Sequence, residues 1–93
     1  MLETTIESRL KKEVEKRGGK AMKFVSPGLR GVPDRIILLP GARTIFVELK
    51  APGEVREPLQ VKRALELHEL GYPVYCLDSH RAVDRFVVEV FGK

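Results

Sequence analysis

Cysteine and histidine are nearly missing from this chain. One thiol, Cys76, cannot close an internal disulfide, which fits a reducing, cytoplasmic setting. His68 and His80 are twelve residues apart with no cysteine beside them, a spacing that does not suit a zinc site, and both read as surface or cap positions. No apolar run approaches the roughly 20 residues that a membrane-spanning helix requires. The charged stretch from Met1 to Lys12 lacks the apolar core of a secretion signal. Repeats and low-complexity segments are also missing. A chain of 93 residues is expected to form one domain over residues 1–93. A domain of that size buries only about 60–65% of its unfolded surface, which makes self-association a natural supplement to a modest core.

What the chain does have is charge. Seventeen Lys and Arg against thirteen Asp and Glu give +4 and a pI near 9.5, a moderate pointer to an anionic partner such as nucleic acid.

The hydrophobic pattern predicts the order α-β-β-β-α-β-α. Ile6, Leu10 and Val14 make one face of a first helix, Thr4 and Glu7 have the form of a capping box, and Gly18-Gly19 ends the helix. Ala21 to Val25 reads as a short strand. Ser26 to Pro33 is a loop rich in turn formers, in which Arg30 stands. Arg35 to Leu39 and Thr44 to Lys50 are β-prone runs, and the four residues Pro40 to Arg43 between them suit a hairpin loop. Pro58 opens a helix with Val61, Ala64 and Leu65 on one side, and Gly71 stops it. Val74 to Leu77 is a strand, with Cys76 and the two phenylalanines Phe24 and Phe46 expected in the core. Ser79 caps a last helix whose apolar positions are Val83, Phe86, Val87 and Val90. A strand–helix–strand crossover from Glu48 to Leu77 implies a parallel pair, hence an α/β fold with a mixed β-sheet flanked by helices.

The hairpin gives the polar residues their meaning. Antiparallel strands joined at Pro40 to Arg43 bring their far ends together, and those ends carry Asp34 and Glu48-Leu49-Lys50. Glu48 and Lys50 are two apart on a strand and share a face. Both acids border runs that otherwise read as buried, and buried carboxylates need partners. Two carboxylates and the intervening Leu49 backbone carbonyl are the oxygen donors that a hard divalent cation takes. A cation there, Mg²⁺ or Mn²⁺, with Lys50 beside it, is chemistry for hydrolysing a phosphodiester. An isolated E-x-K on a strand is ordinarily no more than a solvated charge pair; the hairpin partner Asp34 separates this case from that one.

Gly31-Val32-Pro33-Asp34-Arg35-Ile36, Phe46-Val47-Glu48-Leu49-Lys50-Ala51-Pro52-Gly53 and Pro58-Leu59-Gln60 together resemble the VRR-NUC family, a branch of the PD-(D/E)XK nuclease superfamily. The resemblance runs from the first helix through the strand at Val74 to Leu77. It implies a restriction-endonuclease-like αβββαβ core and a Mg²⁺- or Mn²⁺-dependent nuclease. Asp34 and Glu48 match the metal-binding acids, Lys50 the motif lysine, and Gln60 the motif glutamine. Glu7 corresponds to an acid that many members add from the first helix, although the capping box explains it equally well. The family includes single-domain members of viral origin that resemble Holliday-junction resolvases in being homodimers. The implied substrate is therefore branched DNA or a four-way junction, in a bacterial or phage-infected cell. Arg30, Arg35, Arg43, Arg56, Lys62 and Arg63 lie near the predicted site loops or the following helix and form a candidate lining for the DNA backbone. Two other readings stay open: a non-catalytic DNA-binding or assembly module on the same fold, and a nuclease acting on RNA or free ends.

Overall fold

The computed structural model describes residues 2–92. Its elements follow the expected order: α1 (Glu3–Lys16), β1 (Lys20–Lys23), β2 (Arg35–Leu39), β3 (Arg43–Leu49), α2 (Pro58–Glu69), β4 (Val74–Leu77) and α3 (His80–Phe91). The four strands form one sheet in the order β1-β2-β3-β4. β1 and β3 run antiparallel to β2, and β4 runs parallel to β3. The sheet is mixed because a tight turn joins β2 to β3, whereas the β3–β4 connection passes through a helix. No helix among the described residues is long and apolar enough to cross a membrane.

Alternation along the strands divides the sheet into two unlike faces. Ile37, Leu39, Ile45, Val47, Leu49 and Leu77 point to one side. There they meet Ile6, Leu10 and Val14 of α1 and Val83, Phe86, Val87 and Val90 of α3 in a single buried cluster. Burying each such side chain is worth about 1.5–3 kcal/mol before the entropy of ordering it is counted, so this layer is the main source of stability. The β-branched content of α3 is no obstacle once three of its valines are buried here. Ser79 Oγ accepts from the Ala82 amide at 3.0 Å and caps that helix, as its sequence predicts.

The opposite face carries Ile36, Leu38, Phe46, Glu48 and Cys76, and it is less completely covered. α2 lies over its β4 end and contributes nothing to the main cluster. Of the three apolar α2 positions expected inside, Ala64 is buried, while Val61 is partly exposed and Leu65 is 60% exposed. Cys76, expected in the core, is also exposed: β4 is an edge strand and Cys76 points to the thinly covered side. Phe46 is buried, and Phe24, which follows β1 instead of lying in it, packs on it with ring centres 5.3 Å apart.

Three elements differ in their bounds from the pattern, β3 running from Arg43 to Leu49 instead of Thr44 to Lys50. β1 starts at Lys20 and ends at Lys23, because it pairs only with residues 35–38 of β2. The hairpin turn is Pro40 to Ala42, since Arg43 already pairs with Leu39. Gly41 and Ala42 adopt positive φ (82° and 61°), which reverses the chain within fewer residues than the four anticipated. The first helix begins at Glu3 with Leu2 as its N-cap residue, so Thr4 lies in the first turn and forms no capping box with Glu7.

Gly31 fixes how the loop before Asp34 lies on α2. Its φ is 84°, and a Cβ there would stand 2.8 Å from Leu59 Cγ and 2.9 Å from the Leu59 carbonyl oxygen. Only glycine tolerates both the dihedral and the approach. Gly31→Ala is expected to cost about 2 kcal/mol or more, read as a lower urea midpoint with an unchanged slope. An unchanged midpoint would contradict this packing.

Candidate active site

Asp34 stands one residue before β2. Its neighbour Arg35 pairs with Val47, so continuing the register by one step sets Asp34 opposite Glu48 on the thinly covered face. The Leu49 amide donates to the Asp34 carboxylate, at 3.2 Å to Oδ1 and 3.4 Å to Oδ2. The hairpin thus joins the two halves of the constellation directly. Lys50 follows the last residue of β3, on Glu48's side by alternation, and its amide donates to the Leu77 carbonyl at 3.0 Å.

Glu48 is the one buried charged residue among those described, at 1% exposure. It sits mid-sheet between β2 and β4, where a counter-charge must reach in to both oxygens. A guanidinium does: Arg56 Nε donates to Oε2 at 2.9 Å and Nη2 to Oε1 at 3.2 Å. This two-point fork is the strongest geometry for a carboxylate partner. It also raises the Arg56 pKa above its usual value.

The Asp34 carboxyl is pushed above its ordinary pKa, chiefly by burial. The Leu49 hydrogen bond and Arg35 oppose the shift, while Glu3 and Glu48 add to it. Two acids sharing a partly dry site disfavour each other's charge.

The other expected site residues fall in several places. Glu7 pairs with Arg35, which is largely buried and also donates through Nη1 to the Asp34 carbonyl at 2.8 Å. Arg35 therefore acts as a strut between α1 and the start of β2, and the expectation that it contacts phosphate is corrected. Glu7 serves that strut. The first-helix acid that contributes to the field at Asp34 is Glu3, one helical turn earlier. Residues 3 and 7 share a helix face, so a signal for Glu3 was present, but the presumed cap at Thr4 placed it outside the helix. Gln60 Oε1 accepts from the Glu57 amide at 2.9 Å, fixing the first turn of α2 directly after Arg56. Arg63 donates to the Arg30 carbonyl at 2.9 Å and ties α2 to the loop before Asp34. Arg30 and Lys62 remain exposed. Arg43 lies at the hairpin end of the sheet, remote from Asp34, where it donates to the Val90 carbonyl at 3.2 Å. The fork from Arg56 to Glu48 had no signal in the sequence, since loop 50–57 has no periodicity to say which charge folds back.

Because the folded state binds the Asp34 proton more tightly than the unfolded chain, Asp34 favours folding below the usual carboxylate range, and this contribution is lost as pH rises. Asp34→Asn keeps an acceptor for the Leu49 amide and removes the charge. In chelator at pH 7 it should melt about one or two degrees above the parent, with the gap closing at acid pH. A lower melting temperature at pH 7 would contradict the assignment.

No family model matches the chain. A phage protein, "Putative nuclease p44" of Acyrthosiphon pisum secondary endosymbiont phage 1, is 54% identical over 77 residues, covering 83% of each chain. A solved structure described as a VRR_NUC domain superposes with a TM-score of 0.88 at 26% identity, covering 95% of this chain and 96% of the other. Sequence kinship to a phage nuclease and a fold shared along nearly the whole chain agree with the paired Asp34 and Glu48: the chain belongs to the VRR-NUC family of nucleases.

Proposed function

We propose that this chain is a Mg²⁺- or Mn²⁺-dependent DNA endonuclease that acts on branched DNA, such as a four-way junction, as a homodimer in the cytoplasm of a bacterial or phage-infected cell. The observation that carries the reading is Glu48, an acid buried to 1% exposure opposite a second acid, Asp34, on one sheet face. Two facing carboxylates at such a position call for positive charge, and the donors are all hard oxygens. The Asp34 and Glu48 carboxylates and the Leu49 carbonyl would hold the ion, and this donor set fits it. No cluster of three or more His, Cys, Asp or Glu side chains occurs among the described residues, so water and phosphate oxygens would complete the shell.

A bound divalent ion would offset phosphate charge and lower the pKa of water. The chain's own residues do the rest. Glu48, fixed by its burial, and Asp34, fixed by the Leu49 amide, set where the scissile phosphate stops. Lys50, on the same side, orients the attacking water and offsets the charge that develops on phosphorus-bound oxygen. The water oxygen gives up a proton to solvent and forms the new bond to phosphorus as the bond to the leaving sugar oxygen breaks, and that oxygen takes up a proton from solvent. Gln60 supports the site at one remove, by fixing the start of α2. Exposed Arg30 and Lys62 supply backbone contacts that position DNA without reading its sequence.

The homodimer rests on the thinly covered sheet face. Met22, Leu38 and Tyr72 are each more than a third exposed, around buried Phe46. A second copy covering this patch would add the apolar burial that a small domain lacks, and two-fold symmetry would present two sites to a two-fold junction.

The purified protein should cut a four-way junction or flap faster than linear duplex in Mg²⁺ or Mn²⁺ and not in chelator. Glu48→Gln and Lys50→Ala should each slow cleavage by about a hundredfold or more. Cleavage without metal, or undiminished in Glu48→Gln, would overturn the mechanism. Salt-sensitive binding with no cleavage of any substrate would instead identify a binding module. In sedimentation, the parent should be a dimer at micromolar concentration and Leu38→Glu a monomer; a monomeric parent would contradict the assembly.

A further inference from the structure

Neither the motif nor the family resemblance gives Arg56 a part in holding Glu48. Arg56 lies in the connection between β3 and α2, two residues before Pro58, and reaches back to place two donors on the two Glu48 oxygens at 2.9 and 3.2 Å. Glu48 is all but inaccessible, whereas the Arg56 side chain retains 33% of its exposure. One partner is therefore fixed in the sheet and the other sits at the solvent boundary. The residues just before Arg56, 52–55, are exposed, in a turn closed locally between Ala51 and Glu54. On the C-terminal side of Arg56 the chain is pinned where Gln60 accepts from the Glu57 amide.

A guanidinium that occupies both oxygens of a carboxylate is in direct competition with any other cation for that carboxylate. Resting on the metal-site reading above, we infer that Arg56 is a positioning residue that serves as an internal substitute for the divalent ion. In the metal-free protein it holds the Glu48 carboxylate in place through both oxygens, and ion binding displaces it from Glu48 towards solvent. The substitution solves a folding problem. The site is complete only in the folded chain, and a buried carboxylate with no counter-charge opposes folding. A charge on a pinned but exposed connection offers a partner that can be released, unlike a charge packed inside the core. Arginine suits the role because its planar fork matches a carboxylate, which a lysine ammonium does not.

The test uses the whole chain without DNA, so it does not depend on turnover. Melting temperature and Mn²⁺ affinity by titration calorimetry are measured for the parent, Arg56→Gln and Arg56→Lys. In chelator, Arg56→Gln should melt lowest, Arg56→Lys between, and the parent highest. In Mn²⁺ that order should collapse, with Arg56→Gln gaining most. Arg56→Gln should bind Mn²⁺ about tenfold more tightly than the parent, because the competing charge is gone, with Arg56→Lys intermediate. If Arg56→Gln is too unstable to titrate, the comparison of Arg56→Lys with the parent still decides the matter. Equal or weaker Mn²⁺ binding in the variants overturns the substitution while leaving the metal site standing. No Mn²⁺ binding in any of the three proteins overturns the metal site and the substitution together.

Discussion

A carboxylate in the middle of a sheet is the constraint around which this molecule is built. Glu48 is buried between β2 and β4 on a strand whose other residues from 45 to 49 are also buried and apolar. An uncompensated charge there would cost more than a small core can spare. Its surroundings answer that cost in a particular way. Asp34 is set opposite by the register of the hairpin, which adds a second acid instead of a base. Among the described residues, the one fork of positive charge on Glu48 comes from the solvent boundary, from Arg56. A purely structural ion pair would be expected to use a partner that is as well packed as the acid. The asymmetry is what the proposed cation site would require.

The two faces of the sheet divide the labour. The face covered by α1 and α3 carries the apolar cluster and most of the stability. The other face carries Asp34, Glu48 and the residues that would meet a partner. Arg35 links the two, since it leaves β2 towards α1, pairs with Glu7 there, and still holds the Asp34 carbonyl. Gly31 and Arg63 do the same on the α2 side, one by close approach to Leu59 and the other through the Arg30 carbonyl. The loop that delivers Asp34 is thus clamped from both layers, which is how a chain of this size can hold a functional group on a loop with the precision that a site requires.

Much of this was legible in the sequence because it depends on periodicity and loop length. The apolar faces of α1 and α3, the β2–β3 hairpin, the N-cap at Ser79 and the meeting of Asp34 with Glu48 all follow from spacing. What the sequence did not disclose depends on coverage and on which long side chain reaches where. Val61, Leu65 and Cys76 carry the same pattern as core residues, yet lie on the side where α2 covers only one end of the sheet. Glu7 looked equally like a cap and a site acid; the helix starts one residue earlier than the presumed cap, and the Glu7 carboxylate pairs with Arg35. Arg56 could be named as a nearby charge but not as the partner of Glu48, because a non-repetitive connection leaves its side-chain directions to tertiary contacts.

The most direct test of the central claim, that Asp34 and Glu48 hold a divalent ion, is paramagnetic broadening of amide signals by Mn²⁺ added well below one equivalent. The amides of Asp34, Glu48, Leu49 and Lys50 should fade first in the parent, and that local pattern should vanish in Glu48→Gln. Broadening centred elsewhere, or unchanged in Glu48→Gln, would contradict the account.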